Sequence, residues 1–104
     1  MEKNITLQTR FDAEKTLRAA NLLKAVAHPV RMSIVDMLDV HKRLTVSELY
    51  QTIGVEQSLV SHHLSKLRDK GIVAAERQGQ SVFYTLENAT VMSIIRCLNA
   101  CPTC

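Results

Sequence analysis

The chain ends CLNACPTC, and its three cysteines, Cys97, Cys101 and Cys104, all fall in that stretch. Cys97 and Cys101 are four residues apart, so a helix places them on one face. Cys104 completes a C-x-x-C and lies beyond Pro102, where a helix must stop. Three thiolates can converge on one soft ion. A pyramidal three-sulfur site suits As(III) or Sb(III), and thiolates also take Cd(II), Pb(II), Cu(I) or Zn(II). Zinc usually wants a fourth ligand, which this stretch lacks. Two other readings stand beside this one. The CPTC pair can close a small disulfide loop, with Cys97 as a partner thiol, in a redox or reactive-sulfur response. Alternatively the cysteines pack or lie in solvent and serve no inducer.

What carries these thiols is bounded by composition. At 104 residues the chain is one domain, spanning 1–104, with an apolar content of 46% and a charged content of 22%. That is the composition of a soluble globular protein rich in aliphatics and helices. No apolar run reaches the length of a membrane span, and MEKNITLQTR has no hydrophobic leader core. The expectation is a cytoplasmic chain with no membrane partner and reduced thiols, where an odd cysteine count argues against a disulfide framework. A net charge of +3 permits a polyanionic partner without demanding one.

The elements follow from pattern. Residues 1–10 read as a loose polar arm and 97–104 as a cysteine-bearing C-terminal tail. From Asp12, a cap, Leu17, Ala20, Leu23 and Ala27 recur at helical steps. HPVRMSIVDMLDV restarts the pattern, with Pro29 at a first helical position and Val30, Ile34, Val35 and Leu38 on one stripe. LTVSELYQTIG is a short third helix, with Thr45 and Glu48 as a capping box and Gly54 as a stop. VEQSLVSHHLSKLRDKG is a fourth, closed by Gly71. IVAAERQ and SVFYTL are β-prone runs joined around Gly79, a hairpin. After Asn88, ATVMSIIRCLNA is helical again. The predicted fold is mainly α with a small β-hairpin, in the order α-α-α-α-β-β-α.

That order, with a tight turn at Gly54 between a short and a longer helix, is a winged helix-turn-helix order. AHPVRMSIVDML, LTVSELYQTIGVEQSLVSHHLSKLRDKGIV and ERQGQSVFYTL together resemble the ArsR/SmtB family of bacterial transcriptional repressors, over roughly Leu17 to Leu86. The resemblance implies a homodimer that sits on double-stranded operator DNA and leaves it when an inducer binds. Many such proteins sense soft metal ions, arsenite or sulfur species. Two of the family's sensing sites are missing here. The third helix has no cysteine for a C-V-C thiol site, and no histidine follows His63 for the aspartate-and-histidine zinc site of the last helix. Any inducer site is then the tail cluster or one of unrecognised kind, and the resemblance to family members that sense arsenite with late cysteines favours the first. No obligatory cofactor is implied.

The fourth helix divides by face. Val60, His63, Leu64 and Leu67 fall on one side, and Ser58, Ser61, His62 and Ser65 on the other, with Gln57 at its edge. The first side packs on the domain. The second is free for the major groove, where glutamine can pair with adenine and serine or histidine can bond bases or phosphates. At the hairpin tip, Arg77 and Gln80 suit phosphate or minor-groove contact. Glu56 stands where the family more often has a serine cap. It can still cap, but it brings negative charge toward phosphates. His63 is expected to pack, His28 to cap the second helix and His41 to be solvated. No serine, cysteine or carboxylate is placed by sequence to make His62 or His63 a catalytic base, so the chain is not expected to be an enzyme.

Between Glu56 and Gln80 four basic residues face three acidic ones, a weak footprint for one copy and a better one for two. The last helix is apolar nearly all round, through Val91, Ile94, Ile95 and Leu98, and the first adds Leu17, Leu22, Leu23 and Val26. Both are expected to form the dimer interface.

Overall fold

The computed structural model describes residues 12–103; the arm expected at 1–10 and Cys104 lie outside them. Among the described residues the chain forms five helices and three strands: α1 (Ala13–Val26), α2 (Pro29–His41), β1 (Arg43–Thr45), α3 (Val46–Ile53), α4 (Gln57–Asp69), β2 (Val73–Gln78), β3 (Ser81–Leu86) and α5 (Ala89–Ala100).

Local chemistry explains most of the boundaries. Asp12 accepts from the Lys15 amide at 2.7 Å to start α1. Pro29 occupies the first turn of α2, and His28 Nδ1 accepts from the Val30 amide at 3.1 Å. Thr45 and Glu48 close a reciprocal capping box on α3, and Gly54 ends that helix at φ +86°, a conformation open to glycine without steric cost. Asn88 caps α5 through the Val91 amide at 3.0 Å. Glu56 is the exception: it stands at the N-cap of α4 but makes no side-chain capping bond.

The core is one cluster. Ile34, Val35 and Leu38 of α2, Leu49 of α3, and Val60, Leu64 and Leu67 of α4 meet Ile72, Leu86, Val91 and Ile95. Burying each such aliphatic contributes roughly 1.5–3 kcal/mol.

Two features depart from the sequence reading. The hairpin is part of a three-stranded antiparallel sheet of order β1-β3-β2, because Arg43, Leu44 and Thr45 pair with Thr85, Tyr84 and Phe83. Three residues are too few for an alternating pattern to show, and Thr45 already reads as a helix cap. The stripe on α1 is also differently placed. Ala25 and Val26 are buried, whereas Leu17 and Leu23 are 62% and 51% exposed. The helix touches its own core only at its C-terminal end.

No helix among the described residues is long and apolar enough to cross a membrane.

Candidate nucleic-acid interface

Helix α3, the turn at Gly54 and helix α4 form the helix-turn-helix. On α4 the buried residues are Val60, His63, Leu64 and Leu67. Gln57, Ser58, His62 and Ser65 are exposed and Ser61 is half-buried. The two-face division read from the helical period is therefore the observed one. Among the described residues, no side chain from this exposed set hydrogen-bonds elsewhere in the protein. Their donors and acceptors are left for a ligand.

The wing stands beside this helix. Gln78 pairs with Ser81, leaving Gly79 and Gln80 as a two-residue connection. Gly79 has φ +65° at the first central position, where a tight hairpin calls for glycine. Arg77 and Gln80 are both exposed there. One positioning residue, Arg43 of β1, has no signal in the sequence pattern. Its guanidinium lies 3.9 Å from the centre of the Phe83 ring and donates to Gln78 Oε1 at 2.8 Å. It ties the wing to the strand that the sequence reading lacks.

Beneath the exposed face, α4 is joined to α2 by a polar contact. Arg31 Nε donates to His63 Nδ1 at 2.9 Å, and Arg31 Nη1 donates to the Ala25 carbonyl at 3.0 Å. Because a guanidinium can only donate, Nδ1 of His63 is an acceptor and the ring proton sits on Nε2. Nε2 is buried and has no hydrogen-bond partner among the described residues. The His28 ring lies 4.3 Å away, centre to centre, and the His62 ring 5.4 Å. Desolvation, and then like charge from His28, Arg31 and His62, hold the His63 pKa below its ordinary 6.5.

This depressed pKa sets a sign. Neutral His63 contributes fully above its unfolded-state pKa, and that contribution is lost as pH falls through the lower folded value. As pH falls below the ordinary 6.5, the unfolding free energy should fall with a slope of up to about 1.4 kcal/mol per pH unit for one proton, and the thermal midpoint should fall with it. His63→Gln should flatten that slope. A flat wild-type profile, or a slope unchanged in the variant, contradicts the assignment. Asp39 acts in a separate, more acidic window, since the Arg96 hydrogen bond holds its carboxyl below 3.8.

Helix α5 is fastened to α2 by polar pairs. Arg96 bonds Asp39 at 2.7 and 3.1 Å, and Asn99 Nδ2 donates to Asp36 at 2.8 Å. Cys97 is exposed on the side of α5 turned from Val91 and Ile95. Cys101 is the C-cap. Its φ of −75° keeps its Cβ in the helical register, while ψ of 120° turns the following chain away. Its sulfur is 3.1 Å from Thr103 Oγ1. Among the described residues no three histidine, cysteine or carboxylate side chains gather to hold a metal ion.

A helix-turn-helix with an exposed, hydrogen-bonding second helix and an adjoining two-stranded wing defines a winged-helix DNA-binding regulator. The chain belongs to the arsR family of bacterial regulatory proteins, whose model matches residues 28–75. It is 44% identical over 80 residues to the transcriptional repressor PagR of Bacillus anthracis, covering 77% of this chain and 80% of that one. The PagR crystal structure superposes with a TM-score of 0.77 at 40% identity, over 85% of this chain and 100% of that one. Reduced HlyU from Vibrio cholerae N16961 gives 0.77 at 37% identity, over 83% and 90%. The AntR antimony-specific transcriptional repressor gives 0.78 at 25% identity, over 90% and 89%. The family consists of DNA-binding transcriptional regulators that typically act as dimers, and not of enzymes. This chain is accordingly a transcriptional repressor of the arsR type.

Proposed function

We propose that two copies of the chain pair through α1 and α5 and grip double-stranded operator DNA. The contacts would come from Gln57, Ser58, Ser61, His62 and Ser65 of α4 and from Arg77 and Gln80 of the wing. A soft ion, As(III) or Sb(III) first, taken by Cys97, Cys101 and Cys104 would release them. The observation that carries the DNA part is the exposed face of α4, whose polar side chains make no hydrogen bond among the described residues while its opposite face is packed in the core. Repressor and operator meet in the cytoplasm, and no resident cofactor is needed.

Pairing through α1 and α5 is supported by the exposed aliphatics. Leu17, Leu23 and Leu98 lie on these two helices with 62%, 51% and 37% of their surface open. The cysteine part is supported by the donor chemistry. Cys97 is accessible, Cys101 follows one turn later at the C-cap of the same helix, and Cys104 stands three residues further along the sequence. Three thiolates complete the coordination of a trivalent metalloid. The antimony response named for AntR belongs to that protein, and it makes the same ligand class reasonable here.

Coupling of this kind typically amounts to about 1–3 kcal/mol, or roughly 5–150-fold in operator affinity. Arsenite should weaken operator binding of the reduced wild type within that range. Cys97→Ser, Cys101→Ser and Cys104→Ser should each still bind the operator and lose the arsenite response. A second reading is favoured by the exposure of Cys97 and by the likeness to HlyU, one of whose structures is that of a reduced form. In it an oxidant takes two protons and two electrons from the Cys101 and Cys104 thiols and leaves a disulfide. Single variants that respond normally to every soft ion and lose only the oxidant response would select that reading. A triple variant that keeps every response would move the sensor elsewhere.

A further inference from the structure

One residue on the exposed part of α4 cannot hydrogen-bond at all. Leu59 is the third residue of the helix and 40% exposed. The other large exposed aliphatics, Leu17, Leu23, Val40 and Leu98, lie on α1, α2 and α5. Leu59 is alone on α4, and it sits in the first turn among Gln57, Ser58, Ser61 and His62. At about 100° per residue it is roughly 60° from His62, on the flank of the polar face opposite to Gln57. Its side chain leans back toward the helix N-terminus, the end that reaches base edges first. A leucine there gains nothing from water and cannot serve a phosphate. The major groove offers one apolar feature to such a side chain, the C5-methyl group of thymine.

We infer that Leu59 reads a thymine methyl in each half-site. The inference rests on the proposed DNA-binding face and adds a base identity to it. The hydrogen-bonding residues beside Leu59 fix donor and acceptor patterns. Leu59 distinguishes thymine from cytosine at one position by apolar contact.

The test uses a duplex selected by the full chain from a randomised pool. Each thymine is replaced in turn, symmetrically in both half-sites, by deoxyuridine, which removes the methyl group and leaves the pairing edge intact. Burying one methyl contributes about 4-fold per half-site, so one symmetric replacement should weaken wild-type binding about 15-fold. Leu59→Ala and Leu59→Gln should bind the thymine and deoxyuridine duplexes equally well. The inference fails if every replacement is neutral for the wild type, or if both variants still discriminate. If the chain selects no duplex, the DNA-binding face falls and the inference falls with it. A selected duplex that ignores deoxyuridine removes the inference alone.

Discussion

Ile94→Asp should leave the protein monomeric at micromolar concentration and reduce its operator affinity to the level of weak, unspecific binding. Ile94 is half-buried on α5, one turn from the buried Val91 and from the open Leu98. In the proposed dimer each copy contributes the same patch, so one substitution introduces two carboxylates into one apolar contact. Burying an unpaired charge is costly enough that dissociation is the cheaper outcome. A monomer reaches one half-site and loses the contacts of the other, together with half of the phosphate neutralisation. Sedimentation and operator titration read the two effects, and circular dichroism separates dissociation from unfolding. Leu98→Asp, at a more open position, should dissociate the dimer with less damage to the fold. If both variants remain folded dimers with unaltered operator binding, α5 is not the interface.

The exposed face of α4 carries the second large effect. Ser61→Ala with His62→Ala should abolish discrimination between the operator and a scrambled duplex. Each lost base contact costs roughly 1–3 kcal/mol, and both half-sites lose them together. The buried residues of α4 are untouched, so the melting temperature should stay near that of the wild type. The salt dependence should persist, because Arg77 of the wing and the other lysines and arginines of the chain are untouched. Specific affinity equal to the wild type in this double variant would remove the face from the interface.

The parts of this fold written in neighbouring residues were legible. Asp12, Thr45 with Glu48, Gly54 and Asn88 act within one turn of where they stand, so their roles can be read from spacing. The two faces of α4 follow from a single period. The parts that depend on distant partners were not legible. Arg43, Leu44 and Thr45 become a strand only because Phe83, Tyr84 and Thr85 come to lie beside them. Arg31 and His63 are 32 positions apart, and nothing near either one announces the bond. The apolar stripe of α1 was visible as a pattern, but a pattern does not say which surface it meets. Leu17 and Leu23 turn away from their own domain. At Glu56 the residue type suggested a cap, yet its side chain makes no such bond.

Arg31 limits how this protein can change by single substitutions. Its guanidinium bonds the last turn of α1 through Ala25 and the recognition helix through His63, and its own backbone belongs to α2. The bond to His63 leaves from Nε, part-way along the side chain. A lysine carries carbon at that position, so even the charge-conserving replacement strands the ring nitrogen of a buried histidine. Replacing His63 first strands the Nε–H group instead. The two positions therefore have few tolerated intermediates between them, and viable sequences are expected to hold or change them as a pair, whereas exposed neighbours such as Lys66 and Arg68 can drift one at a time.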